Sequence, residues 1–180
     1  FQVWFRFARA AIRLSLLTTL WISLPCTGGS AWQHVNLTRG PDTVDKALKA
    51  QAAFDTLWAR AEILARGNHK VGGRVAMGWP KTSMYWGLGK VKRLIKDLGL
   101  TRAECHRCAL GLRAKDGLPI KMPWCIYTNC PDMAVEMNKY RCPGCEQKHI
   151  IIAKAAKQNV QERYVTRMGN AIHRAWAKYA

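Results

Sequence analysis

The fold is decided by residues 20–30, which read Leu20-Trp21-Ile22-Ser23-Leu24-Pro25-Cys26-Thr27-Gly28-Gly29-Ser30. A short, mostly apolar run ends in Pro25-Cys26 and is followed at once by a loop of small residues. This order is typical of a buried strand that delivers one reactive side chain to the carboxyl end of an open α/β sheet. Glycines let the loop bend sharply and let a ligand approach its backbone. Cys26 therefore lies where an activated thiolate is expected.

Two later blocks complete a pattern with this stretch. They are Gly73-Arg74-Val75-Ala76-Met77-Gly78-Trp79-Pro80 and Gly117-Leu118-Pro119-Ile120-Lys121-Met122-Pro123-Trp124. With the Pro-Cys loop, they resemble in order the nucleophile motif, the Glu-Trp-Pro strand and the Gly-Val-Pro-Gln block of the cytosine-5 DNA methyltransferases. The resemblance is greatest to a divergent methyltransferase-like family found in retroelement polyproteins, and it covers about residues 20–149.

The resemblance implies a partial Rossmann-like α/β sheet with Cys26 as the covalent nucleophile and S-adenosylmethionine as the methyl donor. The chain departs from the family at Gly78, where the family has the Glu that holds and protonates the target base. It departs again at Ile120, the place of the family's Gln, and at Met122 and Trp124, where conventional enzymes carry two ordering arginines. No Gly-x-Gly pattern precedes Cys26. We therefore expect a degenerate or truncated domain with little unaided catalysis, which binds S-adenosylmethionine only if an upstream segment is supplied.

The charge balance predicts a polyanionic partner. The 180 residues carry 29 Lys and Arg against 11 Asp and Glu, a net charge of +18. A charge of this size favours nucleic acid, and we expect DNA rather than RNA, with no membrane contact. A solvated basic surface is the alternative interpretation. The candidate contacts are the basic face of a helix predicted over residues 85–98 and the one cation of the third block: Lys90, Lys92, Arg93, Lys96 and Lys121.

The seven cysteines favour a metal over a disulfide framework, because the number is odd and Cys-x-x-Cys pairs occur in a basic chain. Cys142 and Cys145 flank Pro-Gly, and His149 follows four positions later, which is a spacing that suits one tetrahedral zinc ion. The fourth ligand is left open among Cys130, Cys105 and Cys108. Reduced cysteines without metal are the alternative.

A second alternative concerns the amino end. Arg9 and Arg13 precede an apolar segment and then small residues, as in a secretory signal peptide, and Asn36 begins a glycosylation sequence. Polar residues interrupt the segment, however, and a strand entering the Pro-Cys loop accounts for it equally well. The sequence therefore predicts an intracellular protein, with the nucleus as one location, and a secreted disulfide protein is the weaker alternative.

The predicted organisation is a methyltransferase-like domain over residues 1–149 without its N-terminal cofactor segment, a Cys/His knuckle at 142–149 and a basic helical tail over 150–180. Within the domain we expect a helix from Pro41 to Gly67, strands at 74–77 and 120–128, and a short helix at 131–138. The resemblance to the retroelement family implies a further strand at 108–112. The competing functional hypothesis is a zinc-stabilised nucleic-acid-binding module with no enzymatic role.

Overall fold

The computed structural model describes residues 18–30, 40–114, 116–144, 149–150 and 166–178. They form an α/β arrangement around one four-stranded sheet. The strands are β1 (Thr19–Ile22), β2 (Arg74–Pro80), β3 (Thr101–His106) and β4 (Pro123–Thr128). The helices are α1 (Pro41–Lys70), α2 (Gly89–Asp97), α3 (Pro131–Asn138) and α4 (Thr166–Ala177), with 3-10 turns at Thr27–Gly29 and Met84–Gly87.

The sheet is mixed, with strand order β1-β2-β4-β3. β1 runs parallel to β2, and β4 is antiparallel to both of its neighbours, so that β2 and β3 point the same way. Ile22 lies opposite Met77, which places the loop that follows β1 beside the last residues of β2. The carboxyl ends of β1 and β2 therefore share one edge, where open α/β sheets gather functional groups.

Helices cover both faces of the sheet, and each face has its own core. On one face the alternate β2 residues Val75, Met77 and Trp79 pack with the apolar side of α1 and α2. On the other face Ala76 packs with β4, α3 and α4. Successive residues of β2 therefore point alternately into the two cores. This burial on both faces is why the strand is a continuous apolar run in the sequence.

Asn68 ties the end of α1 to the sheet. It is fully buried, and its side-chain amide donates to the carbonyls of Arg74, at 2.7 Å, and Thr18, at 3.3 Å. Gly73 leaves the room for it, since a Cβ there would lie 2.4 Å from the Asn68 amide. The contacts fix the starts of β1 and β2 together, and thereby the position of the Pro-Cys loop at the far end of β1.

Several elements differ from the sequence-based expectation. α1 runs past Gly67 to Lys70, and the chain turns only at Gly72, where φ is +81°. The predicted helix over 85–98 is a 3-10 turn followed by α2. Residues 108–112, expected as a strand, form turns, whereas β3 just before them was not predicted.

Other expectations fall outside the described residues. Of the predicted basic tail, the structure describes residue 150 and residues 166–178, which include the helix α4. The leader-like segment up to residue 17 and the glycosylation sequence at 36–38 are not described. None of the described helices has the length and apolar character needed to cross a membrane.

Candidate metal centre and the Cys26 loop

Three side chains that could ligate a metal ion meet at one end of the sheet. They are Cys108, Cys142 and His149, whose Sγ and ring-nitrogen atoms all lie within 4.8 Å of one another. Cys142 Sγ is 3.6 Å from His149 Nε2. Cys108 is buried, and the other two residues are half-buried. Two thiols and an imidazole are donors suited to a borderline-soft ion.

Two distant parts of the chain bring these residues together, since Cys142 and His149 are close in the sequence. Cys108 lies in the turns after β3, Cys142 follows α3, and His149 precedes Ile150. Ile150 is held by a parallel bridge to Ile120 and donates its N–H to the Pro119 carbonyl at 3.0 Å. A metal bound here would therefore cross-link the β3–β4 connection, the end of α3 and the segment leading towards α4.

Cys142 and His149 lie close together, as their spacing predicts. The structure also distinguishes among the three cysteines that were candidates for a further ligand. Cys108 joins the group, and Cys105 and Cys130 do not. Burial raises the pKa of the Cys105 thiol to about 12, which keeps that side chain protonated inside the core. Cys145 lies outside the described residues. None of the six described cysteines is in a disulfide, which is the bond that the secreted alternative requires.

Cys26 lies in the loop after β1, past the strand end at Ile22 and directly before the 3-10 turn at Thr27–Gly29, rather than at the strand-to-loop junction itself. It is half-buried, and its carbonyl accepts a hydrogen bond from the Gly29 N–H at 3.0 Å, which closes the 3-10 turn. Trp79 at the end of β2 donates its indole N–H to the Leu24 carbonyl at 2.9 Å. The Trp-Pro block thus holds the backbone just before Pro25-Cys26, and Cys26 and the end of β2 occupy one edge of the sheet.

The two loop glycines make room for Tyr85, which the sequence interpretation missed. A Cβ at Gly29 would lie 2.6 Å from the Tyr85 ring, and a Cβ at Gly28 would lie 2.6 Å from its hydroxyl. The Tyr85 ring stacks on Phe54 at 3.7 Å between centroids. Burial, with smaller contributions from nearby Cys26 and Asp55, raises the pKa of Tyr85 to about 12. The space expected for a ligand at these glycines therefore holds an aromatic side chain.

Gly78 is enclosed as well. A Cβ on Gly78 would lie 2.7 Å from the indole nitrogen of Trp124. Trp124 is itself 4% exposed. Two of the positions at which the sequence departs from the methyltransferase pattern that it resembles are therefore in contact, because the indole lies where a side chain at position 78 would start.

The predicted nucleic-acid contacts differ in how freely they could meet a phosphate. Lys92, Arg93 and Lys96 are exposed on α2, and none of them has an ion-pair partner among the described residues. Lys90 instead pairs with Asp55 and lies over the Phe54 ring. Lys121 is exposed just before β4.

Together, the fold and these groups define an α/β protein with a candidate metal centre and a cysteine at a strand-end loop. Comparison with protein-family models, with curated proteins and with solved structures finds no match for this chain.

Proposed function

We propose that the chain is a degenerate methyltransferase-like domain of mobile-element origin that binds nucleic acid and has little catalytic activity unaided. The observation that carries the proposal is the placement of Cys26 in the loop that follows β1, which pairs in parallel with β2, and the hydrogen bond from Trp79 of β2 to that loop. This is the edge at which a methyltransferase-like fold needs its nucleophile and its base-holding block to meet.

The strand directions support the same fold. β4 runs antiparallel between two strands that point the same way, next to one edge of the sheet. That order resembles the second half of a methyltransferase-like sheet, whose first half would carry the cofactor. The resemblance places S-adenosylmethionine outside this set of strands, so the proposal requires a supplied upstream segment before the cofactor binds.

The enclosed Gly78 and Cys26 loop are the reasons for proposing little catalysis. A Glu at position 78 would hold and protonate a flipped base, and here Trp124 fills that space. Loss of a group that stabilises the transition state commonly costs about 100-fold or more in rate. The half-buried Cys26 thiol remains as the proposed nucleophile, without the partners that the family supplies.

Charge supports a nucleic-acid partner. Most described carboxylates are already in ion pairs, such as Asp97 with Arg66 and Glu136 with Arg174, so the excess of cations is left for an external anion. The exposed α2 cations form the patch that we assign to phosphate contact. Such contacts give salt-dependent affinity without base recognition, and we propose DNA as the polymer.

We assign zinc to the metal centre, with Cys145 as the fourth ligand beside Cys108, Cys142 and His149. The distance of 3.6 Å between Cys142 Sγ and His149 Nε2 fits two corners of a zinc tetrahedron. With Zn–S near 2.3 Å and Zn–N near 2.0 Å, those corners are expected about 3.6 Å apart. A site closed by four protein ligands leaves no position for substrate, so its role here is structural.

The nucleic-acid proposal is tested with an α2 triple variant, Lys92→Ala with Arg93→Ala and Lys96→Ala. Fluorescence anisotropy would follow binding to a labelled DNA duplex between about 50 and 300 mM salt. Three lost phosphate contacts should weaken binding of every sequence alike and reduce the slope of log affinity against log salt by about 3.

The matched control removes the same charge from α1, through Lys46→Ala, Lys49→Ala and Lys70→Ala, which are all exposed. It should change the slope by less than half as much. An equal loss of DNA affinity and of salt slope in the two variants would mean that the net charge of the protein attracts DNA and that α2 is not a specific binding surface. The proposal that the protein binds DNA would still hold.

A second candidate function is a zinc-stabilised nucleic-acid-binding module with no enzymatic role, and the observation that favours it is the convergence of Cys108, Cys142 and His149. The methyltransferase-like function and the zinc-stabilised module are distinguished by adding an upstream segment that carries the cofactor strands. Restored S-adenosylmethionine binding by calorimetry would support the methyltransferase-like function, and zinc-dependent DNA binding without it would support the module.

A further inference from the structure

Two hydrogen bonds connect β3 to the end of the helix α3 and the turn after it, next to the metal centre. The Glu104 N–H donates to Asn138 Oδ1 at 3.0 Å, and the His106 N–H donates to the Tyr140 carbonyl at 2.8 Å. The partners are 34 positions apart in both pairs. Cys108 and Cys142, two of the three residues of the metal group, are separated by the same number of positions.

Cys142 is connected to β3 through a side chain. The Cys142 N–H donates to His106 Nδ1 at 3.0 Å. His106 therefore binds Tyr140 through its backbone and Cys142 through its ring. Both ends of the short segment 140–142, which leads from α3 to the metal centre, are thus fixed by one residue.

The His106 ring is oriented in turn by a carboxylate on the same strand. Glu104 Oε1 lies 3.6 Å from His106 Nε2, and Glu104 is itself held by Lys81 at 3.0 Å and Arg102 at 2.9 Å. The His106 and Glu104 side chains are only 17% and 16% exposed, so the contact between these two residues is largely protected from solvent. The imidazole is thereby presented to the Cys142 backbone in one orientation.

We propose that His106 is a positioning residue of the metal centre, which sets the backbone of Cys142 so that its thiolate reaches the ion bound by Cys108 and His149. The inference rests on the proposed metal site and adds to it a residue that does not touch the ion. His106 is absent from the group of converging ligands, although its ring contacts the backbone of one of them. Outer partners of this kind typically contribute about 10- to 100-fold in metal affinity.

The test compares two substitutions of His106 for which different zinc affinities are expected. His106→Phe keeps a planar ring and removes the acceptor, whereas His106→Asn presents Oδ1 close to the place of Nδ1. Zinc affinity is measured by competition with a chromophoric chelator at fixed pH, and thermal unfolding of both variants is followed with the metal stripped. We expect His106→Phe to lose about 10- to 100-fold in zinc affinity. His106→Asn should stay within about threefold of the wild type.

Each other outcome has a definite meaning. Unchanged zinc affinity in His106→Phe would overturn the positioning role, and so would an equal loss in both variants. Equal destabilisation of the metal-free and zinc-loaded protein would assign His106 to ordinary packing and would also overturn the inference. A wild-type protein that binds no zinc would refute the metal site itself, which is a separate result from any difference between the variants.

Discussion

Replacement of Cys108 by serine should abolish the stabilisation of this protein by zinc, whereas the same change at Cys130 should not. Both thiols are buried, at 6% and 1% exposure, and both were candidates for the ligand that the knuckle lacks. Only Cys108 lies within 4.8 Å of the ligand atoms of Cys142 and His149. The pair is therefore a matched comparison of ligand and non-ligand.

The size of the effect follows from mass action. A metal that binds only the folded state stabilises it by about 4 kcal/mol at a free concentration a thousandfold above Kd. For a chain of this length, 1 kcal/mol shifts Tm by about 2–4 °C. Zinc should therefore raise the Tm of the wild type, relative to the chelated protein, by about 8–16 °C.

The assay is thermal unfolding by circular dichroism in zinc-buffered solution and again with excess chelator. The quantity of interest is the difference in Tm between the two conditions, because it cancels the packing cost that each serine adds. Cys108→Ser should lose most of that difference, and Cys130→Ser should keep it at a lower baseline Tm. Retention of the full zinc shift by Cys108→Ser, or its loss in Cys130→Ser, would refute the assignment of the ligands.

Three further perturbations test the site and its surroundings. Gly78→Glu should destabilise the fold by about 1–3 kcal/mol, because its Cβ meets Trp124, and chemical denaturation that found no loss would contradict the packing described. Tyr85→Phe should raise the free energy of unfolding by about 1 kcal/mol, since it removes a buried hydroxyl with no hydrogen-bond partner among the described residues; a lower Tm would oppose this. Lys139 holds the pKa of Glu136 below its usual value, so stability present above pH 4.5 should be lost as the pH falls through that lowered pKa. A Tm profile from pH 7 to 3 should be flatter in Glu136→Gln, and parallel profiles would argue against the linkage.

The strands that hold the Cys26 loop could be predicted because their sequence is apolar and their ends are marked. β1 ends before Pro25, and β2 follows the turn at Gly72 and closes with Trp79-Pro80. Short apolar runs between such breaks are typical of buried strands. The prediction of an α/β fold with helices is confirmed at that level by the mixed sheet and the helices that cover it.

β3 was missed because it is an edge strand with one charged face. Arg102, Glu104 and His106 alternate with buried Ala103 and Cys105, so the apolar signal is carried by only two residues. The strand was expected instead at Cys108–Leu112, because that run resembles a Cys-x-x-Gly-Leu strand of the retroelement family. It forms turns, and its leucines contribute to the core from there. The motif resemblance therefore did not predict the conformation of this run.

The candidate site was predictable only where its ligands are close in the sequence. Cys142 and His149 share one short segment, and their spacing alone indicates a metal. Sequence spacing alone does not distinguish Cys105 from Cys108 as the further ligand. The ligand is determined by how β3 contacts the residues at and after the end of α3, and no local sequence pattern predicts those contacts. Tyr85 is likewise more than fifty positions from the glycines it packs against, which therefore looked like an open ligand loop.

The most direct test of the proposed function is the affinity of the zinc-loaded wild type for a labelled DNA duplex and for an RNA duplex of equal length, measured by anisotropy as salt is raised. The account predicts saturable binding to DNA that is tighter than binding to RNA and that weakens steeply with salt, through several released counterions. Absence of saturable binding to either polymer at about 50 mM salt would contradict it, because at that ionic strength the attraction between phosphates and a surface of this charge is only weakly screened.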